Sequence, residues 1–297
     1  MTYEKIVVTG GAGLLGAHVV KKFSDSAQIT TVDIKQPSIE HRGVKNHITL
    51  SITDYEAAKN AFMGKDVVIH LAAIPNPRQA DAQTTFKNNV EGAWTVLQAA
   101  EDAGIKRVVV ASSDSVFGLS YNPPDWSPQF LPVDETHPIR PTEVYSLSKK
   151  ITESISESFA VRKKMEVLAI RPCHIIFPRG YSEITSKGDD LLNYHFWAWV
   201  DPADAAQAFK LAAQTNEYRG FDIYTVASAE GLNKRPTLDL ATKRWGNMPF
   251  VKRPGIYESC PTASILDTTK IRERLGFVPE VTLEKLFLKA KSKKQPV

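Results

Sequence analysis

Cysteine is nearly missing from this chain, which carries only Cys173 and Cys260 in 297 residues. Two distant thiols, one of them in an apolar strand-like run, exclude a disulfide framework and make a reducing cytoplasm the simplest compartment. Long hydrophobic runs are missing too. The most apolar late stretch, 191–200, contains Asn193 and His195 and falls far short of the ~20 residues a bilayer span needs, so no membrane segment is expected. Residues 1–5 lead straight into an apolar run, leaving no room for the charged and apolar regions of a signal peptide, and export is not expected. Charge of either sign is scarce in excess: 37 Lys and Arg stand against 33 Asp and Glu, a net +4. Much of that surplus is Lys285, Lys289, Lys291, Lys293 and Lys294, which reads as a solvated tail rather than a nucleic-acid patch. No His, Cys, Asp or Glu spacing suggests a metal site, and no repeat or low-complexity segment is present.

What is present is rhythm. Apolar runs at 6–9, 29–33, 47–50, 67–72, 108–112 and 167–171 alternate with helical patterns at 14–24, 55–62, 84–103 and 144–161. That alternation predicts an α/β fold, a doubly wound parallel sheet covered on both faces. Gly64 and Gly104 fall where helices should stop. After Pro172 the pieces shorten, with a helix near 202–214, a strand near 223–227 and helices near Leu238 and Thr269. The expected organisation is a dinucleotide-binding (Rossmann) core over 1–172 and a small substrate lobe over 173–297, interleaved with the core as one structural unit. With 42% hydrophobic residues the chain can bury such a core. The stretch 121–141 holds six prolines, and a long loop of this kind is expected to be functional or lid-like.

The first apolar run, Ile6 to Thr9, breaks into Gly10-Gly11-Ala12-Gly13-Leu14-Leu15-Gly16, and Asp33 closes the second run 17 residues later. This predicts a dinucleotide site. Gly10 and Gly11 make the tight turn, Gly13 removes a side chain where pyrophosphate meets the backbone, and Gly16 lets the helix pack on the sheet. The helix aims its free N–H groups at the phosphates. Alone, the glycines would also fit an ordinary strand-to-helix turn; Asp33, at the carboxyl end of strand two, adds the acceptor a ribose diol needs.

Tyr145 and Lys149 are four residues apart on an expected helix and so share one face. A free tyrosine has a pKa of ~10, and an adjacent ammonium favours its phenolate, which would make Tyr145 an acid or base near neutrality. By itself Tyr-x-x-x-Lys also describes a solvated helix face. Ser112 and Ser113, however, end an apolar run at the carboxyl edge of the sheet, where ligands of open α/β folds bind.

At this point the chain resembles an extended short-chain dehydrogenase/reductase of the NAD-dependent epimerase/dehydratase family. The resemblance runs through Thr9 to Gly16, His70-Leu71-Ala72-Ala73, Asn89 ahead of Gly92, Ser112-Ser113 before Val116-Phe117-Gly118, Tyr145 with Lys149, Arg171-Pro172, and Val200-Asp201-Pro202-Ala203-Asp204. It implies NAD as cofactor. It implies that Ser113 bonds the reacting hydroxyl or carbonyl, that Tyr145 moves the proton, and that Lys149 holds the ribose and supports the phenolate. Gly10, Gly13, Leu14 and Leu15 would line the pyrophosphate and Asp33 the adenosine ribose. Ser51 and Ile52 would contact adenine through backbone or packing, with Asp54 able to substitute only by a loop shift. Leu71, Ala72, Ala73, Asn89 and Pro172 would lie along the nicotinamide half. Ser113, Asp114, Ser115, His174 and Arg179 are the candidate substrate contacts, and a small-molecule substrate and a homodimer through the helices at 84–103 and 144–161 are implied.

Departures from the family pattern narrow the expectation. Asp114-Ser115 stands where sugar-nucleotide dehydratases carry an Asp-Glu pair, which disfavours dehydration. Phe117 replaces a more usual tyrosine and is read as packing. Only 21 residues separate Pro178 from Val200, where sugar-nucleotide epimerases insert a long segment that embraces the nucleotide. In this the chain is similar to uronate dehydrogenases. Its carboxylate-binding arginine has no unambiguous match; Arg179 is the nearest, with Lys187 behind it. The expectation is hydride transfer from a hydroxyl-bearing carbon of a small sugar, sugar acid or polyol to NAD. A sugar or sugar-nucleotide epimerase and a non-catalytic NAD-binding protein are the alternatives. His174 could touch ligand or be structural, His18 and His70 are read as packing or surface, and Phe196, Trp197 and Trp199 as core or interface.

Overall fold

The computed structural model describes residues 3–37, 44, 46–120, 126–181, 184, 197–216, 220–232 and 234–292. Strands β1 (Lys5–Thr9), β2 (Gln28–Asp33), β3 (Asn46–Thr49), β4 (Val67–His70) and β5 (Arg107–Ala111) come first. They are followed by β6 (Phe130–Leu131), β7 (Glu166–Pro172), β8 (His174–Ile175), β9 (Trp199–Val200), β10 (Phe221–Val226) and β11 (Phe250–Val251). Seven of them form one sheet in the order β10-β7-β5-β4-β1-β2-β3, every pairing parallel.

The alternation of side chains along each strand sorts the core into two layers. Ile6, Val8, Ile69, Val109, Leu168 and Ile170 pack on one face with Val19 and Phe23; Val7, Val68, Val108, Val110 and Val167 pack on the other with Phe62, Val96 and Phe159. Strands buried on both faces read as unbroken β-branched runs, which is why the sheet was visible in the sequence.

The helices are α1 (Leu14–Phe23), α2 (Tyr55–Phe62), α3 (Ala82–Phe86), α4 (Gly92–Asp102), α5 (Val144–Ala160), α6 (Pro202–Gln214), α7 (Thr237–Trp245), α8 (Pro254–Ser259), α9 (Thr269–Leu275) and α10 (Leu283–Ser292). Gly64 and Gly104 follow α2 and α4 with φ of +68° and +76°, the left-handed conformation a helix stop requires. The single helix expected over 84–103 is instead three pieces, because a π-helical turn, Lys87–Glu91, separates α3 from α4. Side-chain demand at Asn89, described below, accompanies that interruption.

Later residues return to the sheet. Strand β10 pairs along β7 as the edge strand, and Lys210 Nζ on α6 donates to Lys22 O at the end of α1 at 2.8 Å. Arg107, buried at the start of β5, gathers the C-terminal end of α6: Nη1 donates to Ala213 O at 3.1 Å and Thr215 O at 2.6 Å, while Nε donates to Glu166 at 2.6 Å. Trp197 and Trp199 are core: Trp197 stacks edge-on to Trp245 at 5.2 Å and Trp199 Nε1 donates to Glu230 O at 2.8 Å. Phe196, Asn193, His195, Lys187, Lys293 and Lys294, and part of the proline-rich stretch, lie outside the described residues. Within the described part of that stretch, β6 pairs with β11. Both cysteines are free thiols. Among the described residues no helix is long and apolar enough to cross a membrane, and no group of three His, Cys, Asp or Glu could hold a metal ion.

Candidate functional site

Strand order reverses between β4 and β1, and the crevice outside their carboxyl ends is where an open parallel sheet receives a ligand. The glycine turn stands there. Gly10 has φ +71°, and a Cβ on it would lie 2.6 Å from Ala72 N, so glycine is required on both counts. Gly11 meets Thr31 of β2 in the same way, at 2.6 Å. Gly16 differs from expectation: its missing side chain makes room for the turn itself, since a Cβ would fall 2.3 Å from Gly10 O, rather than for the sheet. Gly13 is exposed and meets only Gly10 O at 3.1 Å.

Gly13 is also the N-cap of α1, and no side chain caps that helix, although Asp54, Glu143 and Asp201 cap α2, α5 and α6. The first N–H groups of α1, at Leu14 and Leu15, thus face the crevice with the positive end of the helix dipole behind them. Asp33 joins this turn to β2: Oδ2 accepts from Ala12 N at 3.1 Å and Oδ1 from Lys35 N at 3.1 Å. A glycine cradle, an uncapped helix start and a carboxylate at the neighbouring strand end fit a dinucleotide's pyrophosphate and ribose. Ser51 is exposed and bonded to Thr53 Oγ1 at 2.8 Å, Ile52 is buried against Gly92, and Asp54 is committed to Ala57 N at 3.1 Å as a cap.

The second half of the crevice is built on β4, β5 and α5. Leu71, Ala72 and Ala73 leave the sheet after His70, half-buried, with Leu71 N bonded to Thr9 O at 3.1 Å. His70 is buried, not at the surface; its Nδ1 meets Thr9 Oγ1 at 2.7 Å. Burial, reinforced by the Lys149 charge, pushes its pKa down to about 3. Asn89 spends its whole amide inside the protein. Its Oδ1 accepts from Ile74 N at 2.8 Å and Asn88 Nδ2 at 3.0 Å, and its Nδ2 donates to Ile74 O at 3.0 Å and Ser148 Oγ at 3.1 Å. It therefore ties the loop after β4 to the helix that carries Tyr145 and Lys149.

Glu143 sets the start of that helix, its carboxylate accepting from Tyr145 N at 2.6 Å and Ser146 N at 2.7 Å and from the Ser146 hydroxyl. Lys149 is buried, with Nζ donating to Ala111 O at 2.7 Å and lying 5.8 Å from the centre of the Tyr145 ring. Burial draws its pKa down to about 8, opposed by the charge of Glu153. Ser113, two residues beyond Ala111, is buried and caps a 3-10 turn over Asp114–Phe117 by accepting from Ser115 N at 3.1 Å. Lys149 on α5 is thus tied to the end of β5 two residues before Ser113, with the Tyr145 ring beside its ammonium. Asp114 and Ser115 are also buried, and Asp114's charge joins burial in pushing the Cys173 thiol upward. Phe117 is wholly buried between His137 and Arg171, a packing role. Pro172 ends β7, buried; His174 is exposed on β8 and Arg179 exposed in the turn Pro178–Gly180.

Sequence reasoning missed Glu143, the saturation of Asn89, and a buried Ser112–Glu153–Arg171 cluster. The last had a signal: Glu153 continues the four-residue spacing of Tyr145 and Lys149.

Comparison with known proteins follows the same lines. The L-arabinose 1-dehydrogenase (NAD(P)(+)) of Haloferax volcanii is 30% identical over 218 residues, covering 71% of this chain and 83% of that protein. The UDP-glucose 4-epimerase of Streptococcus mutans is 25% identical over 328 residues, covering 96% and 95%. A short-chain dehydrogenase/reductase superfamily protein from Agrobacterium tumefaciens, solved with bound NAD, superposes with a TM-score of 0.73 at 24% identity over 97% of this chain and 96% of that one, a likeness of fold. Residues 6–227, from the first strand through β10, match the NAD dependent epimerase/dehydratase family, and the chain belongs to that family.

Proposed function

We propose that the protein is an NAD-dependent oxidoreductase acting on a hydroxyl-bearing carbon of a small sugar, sugar acid or polyol. The observation that carries this reading is the Lys149 ammonium, bonded to Ala111 O beside Tyr145 at the carboxyl end of the sheet. Gly10, Gly13, Leu14, Leu15 and Asp33 hold the adenosine diphosphate half of NAD. Leu71 to Ala73, Pro172 and Lys149 line the nicotinamide half, with Asn89 acting through the loop it anchors. When bound, NAD supplies the acceptor for the hydride. Ser113 orients the substrate hydroxyl, Tyr145 as phenolate takes its proton, and the Lys149 charge stabilises that phenolate. Asp114, Ser115, His174 and Arg179 stand on the substrate side, with Arg179 offering a cation to a carboxylate.

Dehydrogenase is preferred to epimerase on length. An epimerase must hold a keto intermediate while it turns over, and remote binding energy from the nucleotide half supplies that grip. The 21 residues between Pro178 and Val200 leave little chain for it. The relative named for an arabinose dehydrogenase supports the same choice. A homodimer through α4 and α5 belongs to this reading, supported by exposed Trp94, Leu147 and Val161 on or just beyond those helices. So does a reducing cytoplasm, supported by the two free thiols.

The test follows NADH absorbance with NAD and, in turn, pentoses, hexuronates and sugar nucleotides. Net NADH from a small substrate is expected, and Tyr145→Phe should remove it while NAD affinity stays within a few-fold. Turnover near wild type in that variant overturns the assignment. Micromolar binding of uridine or thymidine diphosphate to the NAD-loaded protein moves the reading to epimerase.

A further inference from the structure

Beneath Lys149 lies a carboxylate that the chemistry above does not use. Tyr145, Lys149 and Glu153 follow one another at four-residue spacing along α5 and share a helix face. Glu153 is only 4% exposed, and both its oxygens are engaged. Oε1 accepts from the Ser112 hydroxyl at 2.6 Å and from Arg171 Nε at 2.7 Å, and Oε2 accepts from Arg171 Nη2 at 2.8 Å. Ser112 stands between Ala111, whose carbonyl receives the Lys149 ammonium, and Ser113. One buried carboxylate therefore grips the strand end that serves both residues while placing a negative charge one turn from the lysine.

We propose that Glu153 is a positioning residue that keeps Lys149 in its ammonium form at neutral pH, acting through its charge and not merely through its grip on Ser112. The proposal rests on the reading of Tyr145 and Lys149 given above. The titratable groups shown to interact with the Lys149 head are Tyr145 and Glu153 on α5 and His70 at the end of β4. His70 is neutral across the working range because burial and the Lys149 charge push its pKa down to about 3. Arg171 is committed to its two-point pair with Glu153. Burial strips charge from Lys149, and Glu153 is the group that opposes it.

The measurement is the titration of Lys149 in protein carrying 13Cε-labelled lysine, its resonance assigned by its loss in Lys149→Met. Wild type should show a midpoint near 8. In Glu153→Gln, which keeps a hydrogen-bonding amide and removes the charge, the midpoint should fall by about one pH unit, taking the ammonium fraction at pH 7 from about nine tenths to about half. Ser112→Ala, which loosens the grip and leaves the charge, should leave the midpoint in place. If Glu153→Gln does not fold, Glu153→Asp reads the same question, because its charge is drawn back by one methylene and the midpoint should fall by a smaller step. An unmoved midpoint in a folded Glu153 variant, or an equal fall in Ser112→Ala, overturns the proposal. Unchanged turnover in Tyr145→Phe would sink the catalytic reading and leave this titration standing, so the two failures are distinct.

Discussion

Asn89→Ala removes a side chain whose four hydrogen bonds all run to the protein itself, and it should damage both stability and turnover. Asn89 is 3% exposed, and its amide makes four hydrogen bonds. Two of the partners lose little: Asn88 is half-exposed and finds water, and Ser148 keeps its donor bond to Tyr145 O at 2.7 Å. The N–H and C=O of Ile74 are left without partners. A stranded half-buried group costs about 1–3 kcal/mol, so the variant should lose about 2–4 kcal/mol in urea unfolding. That corresponds to a thermal midpoint lower by roughly 5–10 °C. The loop that follows β4 is then untied from α5, so kcat/KM should fall well beyond the change in folded fraction at 25 °C. A stability within about 0.5 kcal/mol of wild type would show that the loop does not depend on this amide. Wild-type kinetics in a destabilised variant would show that anchoring the loop does not serve the reaction.

Cofactor choice should follow Asp33, whose carboxylate stands at the end of β2 beside the glycine turn. NAD should be preferred to NADP in kcat/KM, because a 2′-phosphate meets a like charge there; an Asp33→Ala variant with no relative gain for NADP would remove Asp33 from the ribose site. Stability should fall in acid through His70, whose folded pKa lies near 3 against an unfolded 6.5. The unfolded chain binds the proton first, so between pH 6.5 and 3 stability drops by up to about 1.4 kcal/mol per pH unit. His70→Asn should flatten that part of the profile, and an unchanged slope would show that other groups set it.

The parts legible in the sequence are those where one local rule decides the outcome. The β-branched runs of β1, β4 and β5 and the apolar run of β7 read as buried parallel strands, and Gly10 combines a left-handed turn with a backbone contact that admits no side chain. Tyr145 and Lys149 were readable because helix spacing puts them on one face. What escaped depends on contacts distant in the chain. The bonds of Asn89 to Ile74 and Ser148 reach across 15 and 59 residues of chain, so its anchoring role could not be read locally. The same spacing that revealed Lys149 also held Glu153, yet its partners Ser112 and Arg171 sit on two other strands, so its burial could not be read from α5 alone. Gly16 was read correctly as obligatory for the wrong neighbour, because the turn folds back over the helix start before the sheet is reached.

Arg107 has a thermodynamic consequence. Its guanidinium joins β5 to the last carbonyls of α6, and at the other end of α6 Asp201 is paired with Lys289 at 2.8 Å while Asp204 accepts from Glu280 N and Val281 N. Peeling the later segments from the sheet would break the Arg107 bonds to the last α6 carbonyls and open both ends of a helix at once. Such partial opening is penalised far more than its modest area would suggest. The chain should therefore melt as one cooperative unit, with no intermediate in which the dinucleotide half survives alone.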